Sequence, residues 1–169
     1  DGFADGTIDI KNLNYKGVKG NYNLGDISIK SHNSSEVYTA SLRAPFADID
    51  YSGPEPVNLF VNKVIDMSLF SKLDNYFAHD TTLIYNSGVY NLNVHTFNTM
   101  DLCQIIDEDL YIATNSKLNI TINSDNELEG LLESGRFALG KNYIKDFTLK
   151  LNSGATFGTI ASLFSQNVR

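Results

Sequence analysis

The sequence predicts a mainly β protein of antiparallel strands, with one long helix near 55–77 and one or two short ones. Three observations predict it. Apolar and polar residues alternate with period two through both halves of the chain, which is the period of a strand with one buried face. Turn residues separate the alternating runs, at Asn86-Ser87-Gly88, Asn123-Ser124-Asp125-Asn126, Gly140-Lys141-Asn142 and Asn152-Ser153-Gly154. Only one long segment departs from this: Val61, Ile65, Leu69, Leu73 and Phe77 recur every four residues, the spacing of one helix face.

Taken in order, Ile8 and Ile10 alternate with Thr7, Asp9 and Lys11. The phase slips before Leu13 and Tyr15, which predicts a bulge or a strand end. Tyr22, Leu24, Ile27 and Ile29 form the next run, interrupted at Gly25-Asp26. Tyr38, Ala40 and Leu42 follow, and after Pro45 the alternation resumes at Ala47, Ile49 and Tyr51. Proline cannot donate to a ladder, so Pro45 marks a bulge or strand change.

Ser52-Gly53-Pro54-Glu55-Pro56 then reads as a helix start, with Glu55 near the positive end of the dipole. Val57, Phe60, Val64, Met67, Phe70 and Tyr76 spread over further faces of this helix. It is therefore expected to be covered broadly, within a curved sheet.

Strands are expected again at Tyr90–Val94, Leu118–Ile122, Phe137–Leu139 and Phe147–Leu151. A short helix is expected over Thr99–Asp107, capped by Thr99 and striped by Leu102, Ile105 and Ile106. A third is expected after Gly158, with Ile160, Leu163 and Phe164 as its apolar residues.

A chain of 169 residues is one domain's worth of sequence, long enough to bury a sizeable core. Lysine and arginine number 13 against 20 acidic residues, for a net charge of −7. That balance argues against a nucleic-acid binder, which needs clustered cations for phosphates. It also argues against docking on anionic headgroups. The single cysteine, Cys103, excludes an internal disulfide and a multi-cysteine zinc site. The first residues lack a secretory signal and an initiator methionine, so the chain is read as a piece of a longer protein. Charges within Val57–Phe77 make that segment a poor membrane span.

No constellation nominates a catalytic machine. His32, His79 and His95 lack metal-site spacing, and each reads as a solvated side chain. Cys103 reads as a small apolar residue on the short helix. Asp107-Glu108-Asp109 is the densest acidic cluster, but it lacks the pattern of a calcium loop and reads as a solvated helix end. No enzymatic activity, metal or cofactor is expected.

The order of these elements resembles the TamB branch of the AsmA-like envelope proteins, the translocation and assembly module. The resemblance begins at Gly6-Thr7-Ile8-Asp9-Ile10-Lys11-Asn12-Leu13-Asn14-Tyr15 and continues through Asp26-Ile27-Ser28-Ile29. It runs on through Leu42-Arg43-Ala44-Pro45-Phe46-Ala47-Asp48-Ile49-Asp50-Tyr51-Ser52-Gly53 and the helix that follows. Tyr90-Asn91-Leu92-Asn93-Val94, then Leu102 to Ile112, look like the next unit of strand, short helix and strand. Family members often carry a proline where this chain has Asp107-Glu108-Asp109.

The resemblance implies a mainly β fold in which a curved antiparallel sheet forms an open, taco-like trough, apolar inside and polar outside. It implies one segment, 1–169, of a larger repetitive protein that crosses the periplasm and is tethered to the inner membrane. It also implies phospholipid transport between membranes and a role in outer-membrane protein assembly beside a BamA/TamA-like barrel. The partners are then phospholipid acyl chains and that barrel, with no nucleic acid.

On this reading the groove lining is Tyr38, Ala40, Leu42, Ile49, Leu92, Val94, Leu118, Ile120, Ile122, Phe147 and Leu149. The competing reading of each is an ordinary packed core against the helix. With no basic run in the sequence, binding is expected to follow apolar area rather than headgroup charge. The alternative function is a cell-surface β-sandwich that binds carbohydrate or protein, although the absence of Trp removes the commonest stacking platform. A closed lipid-binding barrel and a hydrolase rank below it.

Overall fold

The computed structural model describes residues 5–34, 36–67, 86–153 and 159–168. The strands are β1 (Gly6–Lys16), β2 (Asn21–Asn33), β3 (Tyr38–Ala44), β4 (Ala47–Gly53), β5 (Tyr90–Thr96), β6 (Leu110–Ile112), β7 (Lys117–Ile122), β8 (Leu128–Leu139), β9 (Asn142–Ser153) and β10 (Thr159–Val168). Two helices are interleaved, α1 (Val57–Met67) and α2 (Met100–Ile106). Among the described residues, neither helix is long and apolar enough to cross a membrane.

All ten strands belong to one antiparallel sheet, in the order β1-β2-β3-β4-β5-β7-β8-β9-β10. The short β6 pairs with the far end of β8, beyond the stretch that β7 occupies. Among the described residues the path does not close on itself, so β1 and β10 are its edges and the sheet is open. A closed barrel is thereby corrected. The described strands form one sheet rather than two.

Near-sequential order follows from short connections. Pro45-Phe46 alone links β3 to β4, with Ala44 opposite Ala47, which is the strand change that the proline signals. The slip before Leu13 is a register shift in β1. There Asn12 adopts φ 51° and Gly25, across the ladder, φ 71°. A Cβ on Gly25 would stand 2.7 Å from Pro45 Cγ, so glycine serves both the backbone angle and the space.

Three expectations about the helices need correction, and that of the long helix lies largely outside the described residues. The long helix is described over Val57–Met67, and the rest of the 55–77 expectation lies outside the described residues. Its sheet-facing residues are Val57, Phe60, Val64 and Met67, at i, i+3, i+7 and i+10, whereas Val61 is 46% exposed. Of the every-four set, Ile65, Leu69, Leu73 and Phe77 lie outside the residues whose side chains are described.

In α2, the residue buried is Cys103, and Ile106 is exposed. Thr99 precedes the helix but does not cap it through its side chain. Its hydroxyl donates instead to Ile112 O at 2.6 Å. The helix expected after Gly158 is strand β10, paired with β9 from Thr159 opposite Ser153 to Val168 opposite Ile144. A twelve-residue β9 offers a full row of backbone donors and acceptors, and pairing satisfies them.

Candidate functional site

Directly opposed residues of an antiparallel pair share a face, so the register sorts the side chains. One row runs Ile8, Ile29, Leu42, Ile49, Val94, Leu118, Leu132 and Leu149 across eight strands. The next row holds Ala40, Tyr51, Leu92, Ile120, Gly130 and Leu151. A third holds Tyr38 and Gly53 on one side, and Tyr90, Ile122 and Leu128 on the other.

The opposite face carries Asp9, Ser28, Arg43, Asp48, His95, Lys117, Glu133 and Thr148. A second polar row holds Lys30, Ser41, Asp50, Asn93, Asn119 and Lys150, broken only by Leu131. One face is aliphatic, the other charged.

The eleven lining residues expected from the sequence all belong to the aliphatic side of this register, yet not to one environment. Ile120, Ile122 and Phe147 are buried. Ile120 and Ile122 form a core with Tyr51, Phe60, Tyr90 and Leu128 beneath α1. Tyr38, Ala40, Leu42, Ile49, Leu92, Val94, Leu118 and Leu149 are half-buried. For Ile120 and Ile122 the packed-core reading therefore holds.

Where α1 begins, Pro56 and Val57 roof a cavity of about 180 Å³. Ile29, Tyr38, Ala40 and Tyr51 line it from the sheet. The rings of Tyr51 and Tyr90 lie 5.2 and 5.7 Å from that of Phe60, a stack that fixes the helix over the third row.

A buried polar cluster anchors the same end. Glu55 is 3% exposed. Its carboxylate accepts from Asn86 N and from the Tyr90 hydroxyl, each at 2.6 Å, and its carbonyl accepts from the Tyr51 hydroxyl. The ammonium of Lys63, itself buried, donates to Asn86 O at 3.0 Å and Asn126 Oδ1 at 2.9 Å. Glu55, expected at the helix dipole, thus ties the turn before β5 to the start of α1.

Two titrations follow. Burial pushes the Tyr51 phenol well above its ordinary value, and the Glu55 charge adds to this. Burial holds the Lys63 ammonium below the usual lysine value, with Glu55 opposing. Between the lowered Lys63 value and about 10.4, the unfolded lysine holds more protons than the folded one, so stability rises with pH. Above about 10 the unfolded tyrosine loses a proton that folded Tyr51 keeps, so stability falls. Urea unfolding between pH 8 and 12 is expected to show this rise and fall. Tyr51→Phe should remove the alkaline fall; an unchanged fall would show that another group causes it.

The opposite end is closed by α2. Asp101 accepts from Asn23 N of β2 at 3.1 Å, and Thr99 reaches β6. Asp107-Glu108-Asp109 is a helix end, as expected. Asp107 Oδ1 accepts from Asp109 N at 2.9 Å, and Glu108 pairs with Lys19. No group of three potential metal ligands occurs among the described residues.

His32 is exposed beside Asp5 at 3.2 Å, and His79 lies outside the described residues. His95 departs from the solvated reading. It is half-buried, its Nε2 is buried without a hydrogen-bond partner among the described residues, and its ring lies 4.7 Å from that of Phe97. The tilted ring of Phe97 covers part of the imidazole on the polar face.

Sequence reasoning missed one feature. In the β8–β9 ladder Arg136 stands directly opposite Lys145. The two are nine positions apart, so no basic run announces them; a hairpin register drawn from Gly140-Lys141 would have done so.

No protein-family model matches this chain, and no curated protein and no solved structure does either.

Proposed function

We propose that the chain is a non-enzymatic, lipid-handling segment of a periplasm-spanning protein of the TamB/AsmA-like kind, its sheet curved into a trough. Phospholipid acyl chains lie along the aliphatic rows as they pass between membranes. The single observation that carries this reading is the row from Ile8 to Leu149. It is eight strands wide, aliphatic throughout and half-buried or exposed along its length.

An ordinary core row is fully covered, whereas this row leaves area for a ligand. Such area takes up hydrocarbon at about 0.8 kcal/mol per buried CH₂. The open edges β1 and β10 favour continuation of the sheet by further strands of a longer parent, because unpaired edges seek partners. The tether to the inner membrane and the barrel partner at the outer membrane belong to that parent.

A photo-crosslinking residue at Val94 or Leu149 in the full-length parent is expected to capture phospholipid. The same probe at Asn93 or Lys150, on the polar face, is expected to capture none. Leu149→Asp should weaken lipid capture by about tenfold or more, since a lone charge among acyl chains has no compensation, while Lys150→Asp should leave it intact. Equal capture on both faces, or on neither, would sink the conduit reading.

A further inference from the structure

Below the buried Ser134–Phe147 pair, the β8–β9 ladder continues in register to Arg136 opposite Lys145, then to Ala138 opposite Tyr143. Ala138 is also opposite Tyr111 of β6. By the alternation of the strands, these residues continue the side that carries Leu132, Leu149 and Phe147. The aliphatic side therefore ends in a pair of cations.

Like charges directly across a ladder repel, and aromatic rings flank both of these cations. The Arg136 guanidinium lies 5.4 Å from the Tyr111 ring and 5.1 Å from the Tyr143 ring, and the Lys145 ammonium 5.4 Å from the latter. Arg136 has no carboxylate within ion-pairing distance among the described residues. It opens, with Tyr111 and Ala138, onto a cavity of about 300 Å³ between α2 and β8.

We infer that Arg136 and Lys145, framed by Tyr111 and Tyr143, hold the phosphate of a phospholipid whose acyl chains lie on the aliphatic rows above; this rests on the acyl-chain reading of those rows. A guanidinium fork matches two phosphate oxygens, and an ammonium adds a point charge. The tyrosine hydroxyls supply neutral donors at the boundary between hydrocarbon and water. Glu108 and Asp109 also line the cavity, so a single phosphodiester suits it and a headgroup with several negative charges does not. The arrangement is amphipathic in the order of the ligand itself, with apolar rows for the chains and a cationic end for the head.

The test uses the 169-residue chain and three probes: short-chain phosphatidylglycerol, diacylglycerol of the same chain length, and inorganic phosphate. Wild type is expected to bind phosphatidylglycerol about tenfold more tightly than diacylglycerol, with the difference shrinking as salt is raised. Arg136→Gln with Lys145→Gln should remove that difference and leave diacylglycerol binding unchanged. Both positions are solvent-accessible, so the double variant should fold; Lys117→Gln on the polar face serves as the charge control and should change nothing.

If both lipids bind equally in wild type and variant, the headgroup site is overturned while the acyl groove stands. If phosphate binds and is lost in the double variant, but neither lipid binds, the source is a free phosphate and both the headgroup assignment and the groove fall. If no probe binds, both fall together.

Discussion

Phe60→Ala is expected to lower stability by about 3–5 kcal/mol. The side chain is 1% exposed and sits between the rings of Tyr51 and Tyr90. Its removal deletes the main apolar anchor of α1 and leaves a cavity beside the existing space under Pro56 and Val57. Surrounding elements cannot collapse into that void easily, because Tyr51 and Tyr90 are also held by hydrogen bonds to Glu55. Phe60→Leu should cost less, about 1–2 kcal/mol, by retaining most of the volume. Urea denaturation followed by tyrosine fluorescence checks both. A cost below 1 kcal/mol for the alanine variant would mean that α1 contributes little to the fold.

The second large effect is expected at Glu55. Replacing it by alanine removes the acceptor of Asn86 N and of the Tyr90 hydroxyl. It also removes the negative charge that favours the buried Lys63 ammonium. Losing one member of a buried charged network costs about 3–5 kcal/mol. Glu55→Gln keeps an acceptor oxygen and should cost about 1–3 kcal/mol. In the alanine variant the Lys63 ammonium loses its favourable charge and should titrate lower still, so the rise of stability with pH should begin at lower pH. Combining Glu55→Ala with Lys63→Met should recover part of the loss, because the two groups act together. Strict additivity of the two costs would show that they are independent.

The placement of Ile120 changes how the groove can be probed. Its side chain is 8% exposed and part of the core beneath α1. Ile120→Asp therefore tests folding rather than lipid passage. Leu149 and Val94, half-buried in the row that runs from Ile8, test passage without entering that core.

Alternation with period two settled which side chains share a face, and it did so from the sequence alone. Leu42, Ile49, Val94, Leu118 and Leu149 share one face because each has the same parity as the other apolar members of its own strand, a local property that only a one-residue slip would destroy. The turn at Pro45 and the bulge at Leu13 are local in the same way. What the tertiary structure decided was non-local. Leu118 and Ile120 are two residues apart on one strand and one face, yet only Ile120 is buried, because α1 packs across its row and not across the next. Glu55 reads only as an acid at the helix dipole, and Lys63 only as a charge within Val57–Phe77, until Asn86 and Asn126 come around to them. The strand Thr159–Val168 reads as helix until the open edge of β9 is there to pair with. Arg136 and Lys145 become neighbours only through the hairpin register. In each case the deciding energy lies in a contact between segments far apart in the chain, and a local pattern holds no record of which segment will arrive.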